Sequence, residues 1–293
     1  MLRFRVPAST TNLGHGFDCL GIALGAANTI SVEPAATAMV SAPGAPDDGL
    51  QRMATTVREA CAKRWDMTLP GFTVRVGGDV PVARGMGSSS TIFLGVAAAC
   101  QHLAGRPFAK QELLEIAAAE EGHPDNAAAA CMGGFTIVAA TLQGLRWSRF
   151  AVPNDLVAVI AIPPFEVKTS EARRILPQQV ERADLVRGLQ RSALITAILA
   201  SGRITELAGL FEDAWHERYR ATVNPGLIEA RAAAQKVGAI GTILSGSGST
   251  VLSFSQRTKA PAVASAVLAS YRVRGVAAEV RTLEFDNAGL EAV

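Results

Sequence analysis

The sequence predicts a mixed protein of the α+β class in two halves. Three observations carry that expectation. Short alternating or fully apolar runs, rich in Val, Ile and Thr, recur as strands require. Longer stretches with helical spacing stand between them and close on Gly or Pro. Strands and helices do not alternate regularly, which argues against one continuous parallel sheet. The pattern restarts after about residue 150, so two domains are expected, 1–152 and 153–293.

Taken in order, "LRFRVPAST" alternates as a strand, and "GIALGAANTISVEP" continues as strand with glycine breaks. "SAPGAPDDG" is a turn-rich loop. "LQRMATTVREACAKRW" has helical spacing, and "GFTVRVGGDVP" is a strand ended by Gly-Gly and Pro81. The helix "STIFLGVAAACQHLAG" stops at Gly105 and Pro107, and "AKQELLEIAAAEEG" at Gly122. "HPDNAAAACMGG" begins a short helix with Pro124 in its first turn. "FTIVAAT" and "LVAVIAIP" are buried strands. Helices follow over "TSEARRILP", "DLVRGLQRSALITAILASG", "ITELAGLFEDAWHERYR" and "GLIEARAAAQKVG". "AIGTILSGSGSTVLSF" is two strands about a Gly-Ser turn, "APAVASAVLASYRVRG" a helix and "VAAEVRTLEF" a final strand.

Composition bounds the function. With 49% hydrophobic and 18% charged residues over 293 positions, the chain has ample material for a core and is not disordered. A net charge of +2 without a dense basic cluster implies no nucleic-acid partner. Cys19, Cys61, Cys100 and Cys131 form no CxxC pair, the four histidines are scattered, and no zinc spacing arises. The thiols read as buried or idle in a reducing compartment. No apolar leader opens "MLRFRVPAST". Gly85 to Gly105 is uncharged, but its Ala, Gly and Ser suit a core helix better than lipid. A cytoplasmic protein without a membrane partner is expected.

The segment "PVARGMGSSST" leaves a strand and enters a helix. Unpaired N–H groups at a helix start lie at the positive end of the dipole, and glycines let an anion approach the backbone. Yet no Gly-Lys pair follows as in a Walker A loop. Ser90 replaces the third glycine of a dinucleotide fingerprint. From these residues alone the segment is either a phosphate loop or a plain helix start. Glu115 and Asn126 are eleven residues apart, about 16 Å on one straight helix. Gly122 and Pro124 should turn the chain back, so that both could face one site; Glu115 could equally be a solvated helix residue.

The segment resembles the P-x-x-x-G-L-G-S-S-A-A signature of the GHMP kinases, which bind ATP without a Walker A loop. "VPASTTNLGHGFDCLGIAL", "EEGHPDNAAAACMGGF", "TSEARRILP" and "GTILSGSGSTVLSF" are similar, in the same order, to blocks of the homoserine kinase family within that superfamily. Met86 stands for Leu, Ser90 and Thr91 for Ala-Ala, and Ser249 for Pro. The resemblance implies a two-domain GHMP kinase fold in an α/β two-layer arrangement, with a nucleotide-loop domain followed by a ferredoxin-like domain. It implies ATP and Mg²⁺ as cofactors and L-homoserine as acceptor, in threonine biosynthesis. ATP would meet Pro81, Arg84, Gly85, Met86, Gly87, Ser88, Ser89 and Ser90. Ser89 and Glu115 would hold Mg²⁺. The acceptor would meet Asn12, Asp18, Asn126, Thr169, Arg173 and Arg220, with Asp18 on its ammonium, the two arginines on its carboxylate and Asn126 on its hydroxyl. Related kinases place an aspartate base at the position of Asn126; an amide cannot serve so, and direct attack on the γ-phosphate is implied instead. Asp125 is read as a helix cap. Family members are often homodimers. The alternatives are a GHMP kinase for another small alcohol and a nucleotide-binding regulator without catalysis.

Overall fold

The alternation at the start of the chain becomes a long hairpin. In the computed structural model, which describes residues 1–35, 39–45, 48–213 and 215–293, β1 (Leu2–Asn12) pairs antiparallel with β2 (Gly16–Ala35). Around it stand β3 (Val40–Ser41), β4 (Gly71–Gly78), β5 (Phe135–Thr141), β6 (Gly144–Phe150) and β11 (Glu291–Ala292). The order is β11–β1–β2–β4–β3, with β5 on β2 and β6 on β5. A register shift between Pro7 and Ser9 sends neighbouring inward residues to different cores. Phe4 and Val6 face one, Ala8 the other.

One face of this sheet is covered by α1 (Gly49–Trp65), α2 (Ser88–Leu103), α3 (Lys110–Glu121) and α4 (Asp125–Met132). Thirteen of the sixteen residues of α2 are buried. That explains the uncharged run seen in the sequence, since a helix apolar all round belongs in a core. Among the described residues no helix is long and apolar enough to cross a membrane.

A second sheet holds β7 (Leu156–Ile162), β8 (Gly241–Leu244), β9 (Val251–Gln256) and β10 (Glu279–Leu283), all antiparallel, in the order β10–β7–β9–β8. Its outer face carries α8 (Leu227–Lys236) and α9 (Ala260–Val273). Strand order fourth, first, third, second in a βαββαβ chain is the ferredoxin-like arrangement. Alternation along β7 serves two cores. Leu156, Ala158, Ile160 and Ile162 face the first sheet, while Val157, Val159 and Ala161 face α8 and α9. α6 (Arg182–Ser201) adds Ile195, Ile198 and Leu199 to the central core. The mixed α+β architecture expected from the sequence is thus present, its two-layer halves stacked sheet to sheet.

Three readings change. The helix expected over 204–220 does not form as one piece; Ala214 lies outside the described residues. A 3₁₀ turn at Ile204–Leu207 and α7 (Glu217–Arg220) stand at its ends. Leu207 and Phe211 drop into the central core, and Asp213 takes the N–H groups of Trp215 and Glu217. β6 was not foreseen because "GLRWSRF" is largely exposed and lacks a buried face. β11 is only two residues long. Of the turn-rich loop, residues 46 and 47 lie outside the described residues.

Gly95 lies where α2 crosses β2. A Cβ there would sit 2.3 Å from Ile30 Cγ1. Gly95→Val is expected to cost about 1–3 kcal/mol through overpacking, read as a lowered midpoint in urea unfolding. An unchanged midpoint would mean that α2 can lift from the sheet.

Candidate functional site

Left-handed backbone builds the turn into α2. Gly85 and Gly87 have φ of 72° and 68°. A Cβ on Gly85 would lie 2.1 Å from the Ser245 carbonyl oxygen, and one on Gly87 2.3 Å from Ser9 Oγ. Glycine is therefore required by packing as well as by conformation. The first hydrogen bond into the helix runs from Thr91 N–H to the Gly87 carbonyl, 3.2 Å. The N–H groups of Ser88, Ser89 and Ser90 have no partner within the helix, the arrangement that suits an anion.

Three neighbours brace the turn. Ser9 N–H donates to the Met86 carbonyl (3.1 Å) and Thr250 N–H to the Arg84 carbonyl (3.1 Å). The Ser245 hydroxyl donates to the Gly85 carbonyl at 2.7 Å. Ser249 is pinned through its hydroxyl to the Phe165 carbonyl, 2.6 Å. The Arg84 guanidinium is spent on structure, donating to the carbonyls of Val82, Pro163 and Pro164 and pairing with Glu166. It braces the turn and also lines the cleft described next. Met86 is fully buried.

The turn opens on a cleft of about 1140 Å³. Gly85, Met86, Gly87, Ser88 and Ser89 line it, while Pro81 and Ser90 do not. The far end runs along Asn28, Leu50, Met53 and Arg75 to Gly78, a wall that no motif in the sequence announced. Asn12, Asp18, Asn126, Thr169, Arg173 and Arg220 all line the near end.

One expected partner is not brought to the loop. Glu115 forms an ion pair with Arg64 and accepts from Gln111 at 2.7 Å. The acid beside the turn is Glu121, whose two carboxylate oxygens accept the Ser89 and Ser90 hydroxyls at 2.6 Å each. Six residues along a helix are about 600° of rotation, so Glu115 and Glu121 cannot face the same way. Gly122 does end α3 as expected, and Glu121 is the residue before it. That position, at the point of chain reversal, was the signal available. Glu121 keeps some surface, but its carboxylate is closely surrounded by protein. Desolvation pushes its pKa up against the pull of the two serines.

Asp125 is the first residue of α4 rather than its cap. Its buried carboxylate accepts the Asn126 N–H (2.9 Å) and meets His123 Nδ1 (3.0 Å). Burial would lower the His123 pKa, but the Asp125 hydrogen bond and charge outweigh it and raise it. The Asn126 side chain is set by Ser9, whose hydroxyl donates to Oδ1 at 2.9 Å.

The near end is a tight network. Asn12 and Asp18 both have positive φ, 72° and 56°. Asn12 donates to the Gly246 carbonyl (3.0 Å) and accepts the Asp18 N–H (3.2 Å). Thr169 Oγ1 lies 3.4 Å from Ser247 Oγ. Arg173 is on α5 (Thr169–Arg174) and binds Asp18 with two hydrogen bonds, while Arg174 is exposed. Arg220 is buried and donates to the carbonyls of Ala172 and Gly246. It does not pair with Glu217, which is taken by Arg231 and the Leu244 N–H. Desolvation, with Arg173 adding to it, lowers the Arg220 pKa to about 10. Both guanidiniums lie against the Phe17 ring, 5.3 and 5.1 Å from its centroid. Phe17 in turn packs on Trp215 and on His216, whose pKa burial drives down to about 4. Phe17 directly precedes the expected residue Asp18 in the sequence and is not itself among the expected residues, because its place against the two guanidiniums appears only in three dimensions.

Known proteins show the same plan. The GHMP kinases N terminal domain model matches residues 50–134, and the GHMP kinases C terminal model residues 194–273. A homoserine kinase of Trichormus variabilis is 37% identical, covering 97% of this chain and 96% of its own. A homoserine kinase of Deinococcus radiodurans is 38% identical, over 85% of this chain and 83% of its own. The chain belongs to the homoserine kinase family. Membership makes it an enzyme of the GHMP kinase superfamily. The crystal structure of homoserine kinase from Cytophaga hutchinsonii shares the fold, with a TM-score of 0.89 and 23% identity over 100% of this chain and 97% of that one.

Within this homoserine kinase-family chain, the raised pKa of Glu121 has a consequence for stability. The folded protein holds that proton more tightly than the unfolded chain does, so stability falls as pH rises from the ordinary carboxyl value of 4.5 through the raised one. Without nucleotide or divalent cation, Glu121→Gln is expected to melt above wild type at pH 7 to 8. The gap should close toward pH 4. A variant that melts below wild type at all pH values would contradict the reading.

Proposed function

We propose that the chain transfers the γ-phosphoryl group of ATP to the side-chain hydroxyl of L-homoserine, giving O-phospho-L-homoserine for threonine biosynthesis. The observation that carries this is one cleft joining a helix N-terminus made for phosphate to a pocket with a carboxylate and two guanidiniums. That pocket suits an amino-acid zwitterion, since an arginine fork matches a carboxylate. The catalytic half is assigned to 1–152 and the rest of the acceptor pocket to 153–293. The chain is read as cytoplasmic, and as a homodimer by analogy with its family.

Asn126 sits between the turn and the acceptor pocket, 2.9 Å from the position of a Cβ on Gly87. Its amide would orient the acceptor hydroxyl and cannot take its proton. The hydroxyl oxygen attacks the γ-phosphorus directly and the bond to the β,γ-bridging oxygen breaks. The proton leaves to phosphoryl oxygen or water. Positioning and charge neutralisation supply most of the acceleration in such a transfer. The donor set beside the turn, a desolvated carboxylate and two hydroxyls, fits a hard divalent cation. Ser89 and Glu121 would hold Mg²⁺, which when bound neutralises phosphate charge. Glu115, engaged by Arg64, is outside this assignment.

Glu121→Gln should therefore lower turnover by at least about 100-fold, several kcal/mol of transition-state stabilisation, and weaken the dependence on Mg²⁺. Glu115→Gln should stay within a few-fold of wild type. Steady-state ADP release with homoserine, across a magnesium titration, checks both. Equal damage from the two substitutions would remove Glu121 from the metal role.

A further inference from the structure

Asp18 and Arg173 were each expected to hold one end of an acceptor. In the structure they hold each other. Arg173 Nη1 donates to Asp18 Oδ2 at 2.9 Å and Nη2 to Oδ1 at 2.6 Å. Both side chains are about a third exposed, at 35% and 33%, and both line the cleft. The second cation, Arg220, has only carbonyl oxygens as hydrogen-bond acceptors among the described residues. It shares the Phe17 ring with Arg173, so two like charges converge on one aromatic face system. One of the two guanidiniums is thus neutralised by a carboxylate of the same chain, while the other is not.

We propose that the Asp18–Arg173 pair is a lock opened only by a ligand that carries both an ammonium and a carboxylate. The zwitterion takes Asp18 with its ammonium and Arg173 with its carboxylate, exchanging one ion pair for two. This rests on the reading of the cleft as an amino-acid acceptor site and deepens it. A ligand with one charge cannot make that exchange. A hydroxy acid draws Arg173 away and strands Asp18; an amino alcohol draws Asp18 away and strands Arg173 beside Arg220. A half-buried charge that loses its partner is costly. Singly charged alcohols are therefore disfavoured twice, once by the contact they lack and once by the pair they break. Phe17 acts as a positioning residue, keeping both guanidiniums in place while the pair is open.

Two measurements test the lock. The first is calorimetric binding of L-homoserine, 4-hydroxybutyrate and 3-amino-1-propanol to wild type, Asp18→Asn and Arg173→Gln. Wild type is expected to bind each analogue roughly 30-fold or more weakly than homoserine. Asp18→Asn should bind 4-hydroxybutyrate several-fold more tightly than wild type does, because Arg173 is already free. Arg173→Gln should do the same for 3-amino-1-propanol. Equal or weaker binding in these folded variants overturns the proposal. The second, which needs no variant, is a structure of wild type with homoserine bound. Asp18 and Arg173 should be parted, each on one end of the ligand; an intact bidentate pair overturns the lock. If homoserine is phosphorylated yet the pair stays closed, the lock alone falls. If wild type neither binds nor phosphorylates homoserine, the acceptor reading falls and takes the lock with it.

Discussion

The site depends on the backbone contact between Gly85 and the loop that joins β8 to β9. Ser245 and Thr250 belong to the second sheet's connection, yet they bond to Gly85 and Arg84 in the first half of the chain. No side chain fits between them at Gly85. The same loop offers its Gly246 carbonyl to both Asn12 and Arg220. One short hairpin connection therefore sets the glycine turn and the Asn12–Arg220 end of the cleft at a fixed separation. In-line transfer demands that kind of registration, because a displacement of an ångström between reacting groups is costly.

Most of the fold could be read from the sequence because its periodicity is local. The alternation of β7, the Ala-rich α2 and the Gly122 reversal each follow from a few adjacent residues. What could not be read was decided by contacts from elsewhere in the chain. β6 has no buried face, so its pairing with β5 is the only reason it is a strand. The 204–220 segment has helical composition, but Leu207 and Phe211 gain more by entering the central core than the helix would return. In the site, the glycines, Asn12, Asp18, Asn126 and Arg173 stand inside motifs, Arg220 does not, and one cleft brings them together. The sequence reading takes Glu115 where the structure brings Glu121 to the turn, because choosing between two acids on one helix requires knowing which face meets α2. Phe17 carries no polar atom, so no chemical motif marks it.

The charges of the near end are organised by desolvation more than by surface pairing. Arg220 is held by carbonyl dipoles and an aromatic face, and its depressed pKa reports the cost of burying a cation that way. His216 below Phe17 is kept neutral by burial, which spares the pocket a third positive charge. Asp125, buried under His123, adds a negative charge that Arg173 feels. The pocket is thus polarised before any ligand enters, which is the condition for electrostatic preorganisation.

The two sheets share one apolar core, with Leu20, Ile22 and Leu24 of β2 facing Ile160 of β7 and Leu252 and Phe254 of β9. Halves joined in this way cannot hinge apart without opening voids in close-packed material. The cleft therefore has no clamshell motion at its disposal. Whatever admits and seals off the reactants must be small: a turn, a few side chains, an ion pair changing partners. A shared core of this kind leaves rotamers, and not domains, as the parts free to move.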